Sequence, residues 1–134
     1  MGDLLRVRGL RPDRIVSSPA CRAKMTADLI ARGMGLEPTT ISYCEFLYEQ
    51  GLNGIWRTIH GLDDGWRRVF LIGHNPDLTL LINALTGENL THLPTCGTVS
   101  LEFSDDSWES IMRDSGRLVF FDYPKRHKIE MKSK

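Results

Sequence analysis

The stretch Arg68-Val69-Phe70-Leu71-Ile72-Gly73-His74-Asn75-Pro76 limits the possible folds more than any other. Four apolar residues in a row, bracketed by turn formers, read as a strand buried on both faces. The run stops at Gly73. Asn75 suits a helix N-cap, and Pro76 suits the first helical position, where a missing N–H costs nothing. Leu78, Leu81, Ile82 and Leu85 then recur at helical spacing. His74 therefore stands where a buried strand gives way to a helix. In open α/β sheets that corner binds ligands, anions above all. A lone histidine at such a bend is more often structural than chemical, so the rest of the chain has to decide.

The same device occurs earlier. Ile15 and Val16 form a short strand, and Ser18-Pro19 repeats the cap-plus-proline pair. Ala20, Ala23, Ala27, Ile30 and Met34 then follow helical spacing, with Gly33 and Gly35 closing the helix. Arg22 falls in or just after the first turn. Helical side chains lean toward the N-terminus, so Arg22 can reach over the strand end. A cation at the positive end of a helix is unfavourable unless an anion lies between them; a plain surface arginine is the alternative.

A third strand is expected over Thr39 to Leu47, through Ile41, Tyr43 and Phe46, with Tyr48-Glu49-Gln50-Gly51 as the loop at its carboxyl end. Leu52, Ile55, Trp56 and Ile59 then predict an amphipathic helix closed by Gly61, and Asp63-Asp64-Gly65 a turn. Strand and helix alternate three times, which implies parallel strands joined by crossover helices. Three loops, carrying Arg22, Glu49 and His74, then fall on one edge of one sheet.

The remaining chain differs. Thr98, Ser100 and Glu102 alternate with Val99, Leu101 and Phe103, as in a strand covered on one face. Leu118 to Tyr123 predicts another strand, and Trp108, Ile111 and Met112 one or two helical turns between them. No crossover helix separates this pair, so one member is antiparallel to the rest. Met1 to Gly9 could form a helix with no strand before it. Residues 1–124 read as a single domain, and Lys125 to Lys134 as a solvated basic tail.

Composition removes several classes. The 134 residues suit one core, and 17 Lys+Arg against 17 Asp+Glu leave no net charge to favour nucleic acid or an anionic membrane. Apolar runs are too short to span a bilayer, and no signal peptide opens the chain. Cys21, Cys44 and Cys96 form no disulfide framework, which favours the cytoplasm. Cys21 abuts Arg22 with no intervening phosphate cradle, so a cysteine phosphatase is not indicated. Packing against the sheet is its expected role. His60, His92 and His127 lack metal-ligand spacing, and no P-loop or dinucleotide fingerprint occurs.

Together these residues carry a resemblance. Ser17-Ser18-Pro19-Ala20-Cys21-Arg22-Ala23-Lys24-Met25-Thr26-Ala27 resembles the "SSP-x-x-R-x-x-x-T-A" segment of the histidine phosphatase superfamily, and Gly73-His74-Asn75-Pro76 its second histidine motif. Leu47-Tyr48-Glu49, Pro94-Thr95-Cys96-Gly97 and Phe120-Phe121-Asp122-Tyr123-Pro124 are similar to the small bacterial phosphohistidine phosphatase branch. The resemblance implies a three-layer α/β/α sandwich of phosphoglycerate-mutase-like type with a mostly parallel mixed sheet. It implies removal of a phosphoryl group from a phosphohistidine protein, or from a small phosphate ester, through a phosphohistidine intermediate and with no metal or cofactor. It makes Arg22 a phosphate-clamping arginine and His74 the second histidine, a donor to the phosphoryl oxygens. Glu49 lies near the general acid of larger relatives.

One departure stands out. The superfamily's nucleophile is the histidine of an Arg-His-Gly motif ending the first strand, and this sequence has none; Arg126-His127 is followed by Lys128. The resemblance therefore implies a domain that begins at an internal methionine and lacks a central strand. That strand would lie between the one ending at His74 and the one beginning near Thr98. The expected consequences are an open slot in the sheet and a chain inactive by itself. A non-catalytic phosphate- or phosphoprotein-binding module is the alternative, and a homodimer whose partners fill the slot a third reading.

Overall fold

A computed structural model describes residues 11–74, 77–90, 98–104 and 106–122, without the side chains of 49, 98–100 and 120–122. The expected first helix, the Asn75-Pro76 cap, Pro94 to Gly97, His92 and the basic tail lie outside the described residues.

Strand β1 (Arg14–Ser17) is the middle of a three-stranded parallel sheet, flanked by β2 (Ile41–Tyr43) and β3 (Val69–Ile72). Ile15 faces Ile41 on one side and Phe70 on the other. The pleat turns Ile15 and Val16 to opposite faces. Ile15 packs with Ala27, Ile30, Ala31 and Met34 of helix α1 (Cys21–Met34). Val16 packs with Ile55 and Ile59 of α3 (Gly51–His60) and with Leu81 and Leu85 of α4 (Asp77–Thr86). Phe70 and Ile72 join the first cluster, Val69 and Leu71 the second. Helices thus cover both faces of the parallel sheet, the mixed α/β architecture expected. Ile15 is fully buried, which alone removes roughly 1.5–3 kcal/mol of apolar surface from water.

The central, fully covered strand is β1, not β3. All four β3 residues are only half-buried, because β3 pairs with β1 on one side and, among the described residues, with no strand on the other. Strands β4 (Thr98–Phe103) and β5 (Gly116–Asp122) form a separate antiparallel pair. Leu101 and Phe103 still reach the core shared with Val69 and Leu71, so the two sheets close over one interior.

Three local expectations change. The segment after β2 is not strand through Leu47: Phe46–Glu49 is a short helix, α2, held against α3. Gly54 of α3 permits this, since a Cβ there would lie 1.9 Å from the Phe46 carbonyl oxygen. Glu49 therefore ends a helical turn rather than sitting in an open loop. Helix α1 begins at Cys21 with Ala20 as its cap residue, and no side chain caps it. Gly35 closes it in the left-handed conformation, at φ 70°. Cys21 is exposed: it falls off the stripe of Ala23, Ala27, Ile30 and Met34 that faces the sheet. Among the described residues no helix is long and apolar enough to cross a membrane.

Candidate functional site

Because β1, β2 and β3 run parallel, their carboxyl ends share one edge. Backbone bonds prolong both ladders to that edge: Ser18 N–H donates to the Ile72 carbonyl at 2.9 Å, and Cys44 N–H to the Ser17 carbonyl at 2.9 Å. The segments carrying Ser18, Tyr48 and His74 all leave the sheet from it.

His74 follows β3 by two residues, and its ring is held on two sides. Nε2 lies 2.8 Å from Ser18 Oγ. The Tyr48 ring from α2 meets it edge-on at a centroid distance of 5.9 Å. Its carbonyl accepts from Leu78 N–H at 2.9 Å, joining the bend to α4. Ser18 is fully buried, and its Oγ also accepts from Ala20 N–H at 3.2 Å. The hydroxyl expected to cap α1 thus serves the turn before the helix and the histidine of the neighbouring strand. Sequence reasoning placed Ser18 in a motif but missed its partner, which is 56 residues away. Tyr48 was likewise only part of a motif. Nothing local in the sequence points either of them at His74.

Arg22 is exposed at the second position of α1. Its carbonyl accepts from Thr26 Oγ1 at 3.0 Å, and among the described residues its guanidinium carries no ion pair. It leaves the same edge as His74, from the strand next to β3. Glu49 closes α2 one residue after Tyr48. The other described histidine, His60, lies elsewhere: Nε2 donates to the Ile111 carbonyl at 2.9 Å, and the ring packs on Trp56. It fastens α3 to the turn after β4. No cluster of three or more His, Cys, Asp or Glu side chains suited to a metal occurs among the described residues.

A parallel sheet covered by helices on both faces, with His74 and the segment carrying Arg22 leaving adjacent strand ends, is the arrangement the described residues define. Solved structures similar to this chain include three that carry the name SixA. A protein assigned as SixA from Agrobacterium tumefaciens is 29% identical, with a TM-score of 0.72 over 92% of this chain and 75% of its own. A protein histidine phosphatase SixA solved with tungstate is 20% identical, with a TM-score of 0.78 over 94% and 78%. A protein assigned as SixA from Nakamurella multipartitia is 20% identical, with a TM-score of 0.77 over 92% and 77%. No family model matches the chain, and no curated protein matches it in sequence.

Proposed function

We propose that this chain is a phosphohistidine phosphatase-type domain whose strand-end edge binds the phosphoryl group of a phosphorylated protein. The observation that carries the reading is the His74 corner. A ring held by Ser18 and Tyr48 at the carboxyl end of a parallel strand is a prepared donor, not a surface histidine. Arg22, from the adjacent strand end, supplies the charge; a guanidinium fork matches two phosphoryl oxygens at once. A structural neighbour solved with tungstate, which is tetrahedral like phosphate, supports an oxyanion as ligand.

In this reaction an imidazole nitrogen of the enzyme attacks phosphorus in line with the substrate imidazole, which leaves as the P–N bond breaks. Water then cleaves the new P–N bond and releases phosphate. His74 and Arg22 hold the equatorial oxygens and so are not placed for in-line attack. Glu49 would assist proton delivery, a lesser demand with an imidazole leaving group. Among the described residues the other histidine, His60, is bonded to Ile111. The reading for the chain by itself is therefore oxyanion binding without turnover. The half-buried apolar edge of β3, beside the separate β4–β5 pair, suits a further strand bearing the Arg-His-Gly nucleophile.

The test is calorimetric titration with inorganic phosphate, then incubation with a phosphohistidine protein and a search for acid-labile phosphoenzyme. Binding without phosphoenzyme is expected for the 134-residue chain, and both for a chain extended by an Arg-His-Gly segment. Absence of phosphate binding, or turnover that His74→Ala abolishes in the short chain, would overturn the assignment.

A further inference from the structure

We propose that Ser18 is the positioning residue of His74, and that it holds the imidazole in the tautomer with its proton on Nδ1. The inference comes from accounting for one buried hydroxyl. Ser18 is fully excluded from solvent. Its Oγ has two partners among the described residues, Ala20 N–H at 3.2 Å and His74 Nε2 at 2.8 Å. A seryl hydroxyl has one proton to give and two lone pairs to receive with. Ala20 N–H can only donate, so it occupies a lone pair.

Two arrangements remain. If Nε2 carried the proton, Oγ would accept twice and its own proton would have no partner among the described residues, which buried hydroxyls avoid. If Nε2 is bare, Ser18 O–H donates to it, and the hydroxyl gives once and receives once. Among the described residues every buried side-chain nitrogen and oxygen has a partner, and the second arrangement keeps that true for the proton as well. The proton of the neutral ring then sits on Nδ1. The hydrogen bond at one ring nitrogen fixes which atom the other presents.

The consequence, which rests on the oxyanion reading above, is that neutral His74 offers Nδ1–H to a phosphoryl oxygen. Without Ser18 the ring could turn or change tautomer and meet the oxyanion with a lone pair. His60 is the opposite case within the same chain. Its Nε2 faces the Ile111 carbonyl, which can only accept, so that nitrogen must carry the proton.

Nitrogen-15 histidine-labelled protein, free of phosphate and about two pH units above the ordinary imidazole pKa, reports both rings in one long-range proton–nitrogen spectrum. His74 should show a bare Nε2 and a protonated Nδ1, with His60 reversed as the internal standard. Ser18→Ala should move His74 toward the Nε2-protonated form and leave His60 unchanged, while Ser18→Thr keeps the wild-type pattern. A protonated Nε2 on His74 in the wild type overturns the proposal, as does a Ser18→Ala pattern identical to wild type. Should Ser18→Ala fail to fold, the wild-type and Ser18→Thr spectra decide by themselves. Since no oxyanion is present, failure here is separate from failure of the phosphate titration.

Discussion

The ring of Tyr48 stands edge-on to the ring of His74, with planes at 70° and centroids 5.9 Å apart. Tyr48 is 59% exposed, so this contact, not burial, gives it a role at the strand-end edge. Tyr48→Ala should weaken phosphate binding roughly two- to fivefold, from ~0.5–1 kcal/mol for an aromatic pair of this kind. Tyr48→Phe keeps the ring and should bind as wild type. Phosphate titrations of both variants check this. A loss in Tyr48→Phe equal to that in Tyr48→Ala would assign the effect to the hydroxyl instead.

Arg22 should matter for binding and hardly at all for folding. Charge-assisted hydrogen bonds contribute ~1.5–3 kcal/mol, so Arg22→Ala should lower phosphate affinity about tenfold or more. Arg22→Lys should also bind poorly, lacking the planar fork. Because Arg22 is exposed, either change should shift stability by no more than ~0.5 kcal/mol. Titration beside a urea melt separates the two effects. Unchanged phosphate affinity in Arg22→Ala would remove Arg22 from the site.

Gly54→Ala tests how α2 is held. The added methyl would meet the Phe46 carbonyl oxygen at 1.9 Å and Gln50 Cβ at 2.8 Å, so backbone must move. Overpacking of this sort costs roughly 1–3 kcal/mol. The displaced element carries Tyr48, so nuclear Overhauser contacts between the Tyr48 and His74 rings should weaken as the melting temperature falls. A variant of wild-type stability with those contacts intact would contradict the packing described.

Asp13 lies before β1, away from the candidate site. Its carboxylate accepts from the backbone N–H groups of Arg68 and Arg67, at 3.0 and 2.7 Å. The Arg68 bond, then the Arg67 bond, hold its pKa below the usual carboxylate value, with smaller help from the two guanidinium charges. A depressed folded pKa gives stability that is present above the unfolded carboxylate pKa and lost as pH falls through the folded one. Asp13→Asn should thus be less stable than wild type at neutral pH, by less than ~1 kcal/mol given the exposure. The gap should narrow as pH is lowered from neutral toward ~2 and Asp13 takes up its proton. Urea melts at both pH values measure it; a gap that widens in acid would contradict the linkage.

The layered order of the chain was legible because it rests on local patterns. Apolar runs at Ile15-Val16 and Val69–Ile72, each followed by helical spacing, suffice to predict parallel strands with crossovers. The rank of those strands was not legible. Val-Phe-Leu-Ile reads as more buried than Arg-Ile-Val-Ser, yet β1 has neighbours on both sides and β3 has one. Phe46 and Leu47 looked like a continuation of β2, because period-two and helical readings coincide over so few residues. What allows the helical turn to pack here is Gly54, eight residues beyond Phe46. Ser18 looked like a cap since Ser-Pro before a helix usually is one; its actual partner arrives from another strand. At the site, the chemistry-bearing residue types were visible and the supporting contacts were not, as those depend on long-range pairing.

That pairing also sets a schedule. Ser18 and His74 are 56 residues apart, and β1 gains its second ladder only when Val69–Ile72 is available to it. Non-local parallel pairing forms slowly because loop closure must precede any reward. On the ribosome, α1 and the β1–β2 pair can gather as soon as Tyr43 has emerged, but the imidazole corner has no existence in a shorter nascent chain. A partly synthesised chain that ends between Arg22 and His74 therefore carries Arg22 and Ser18 without the imidazole that would join them at an anion.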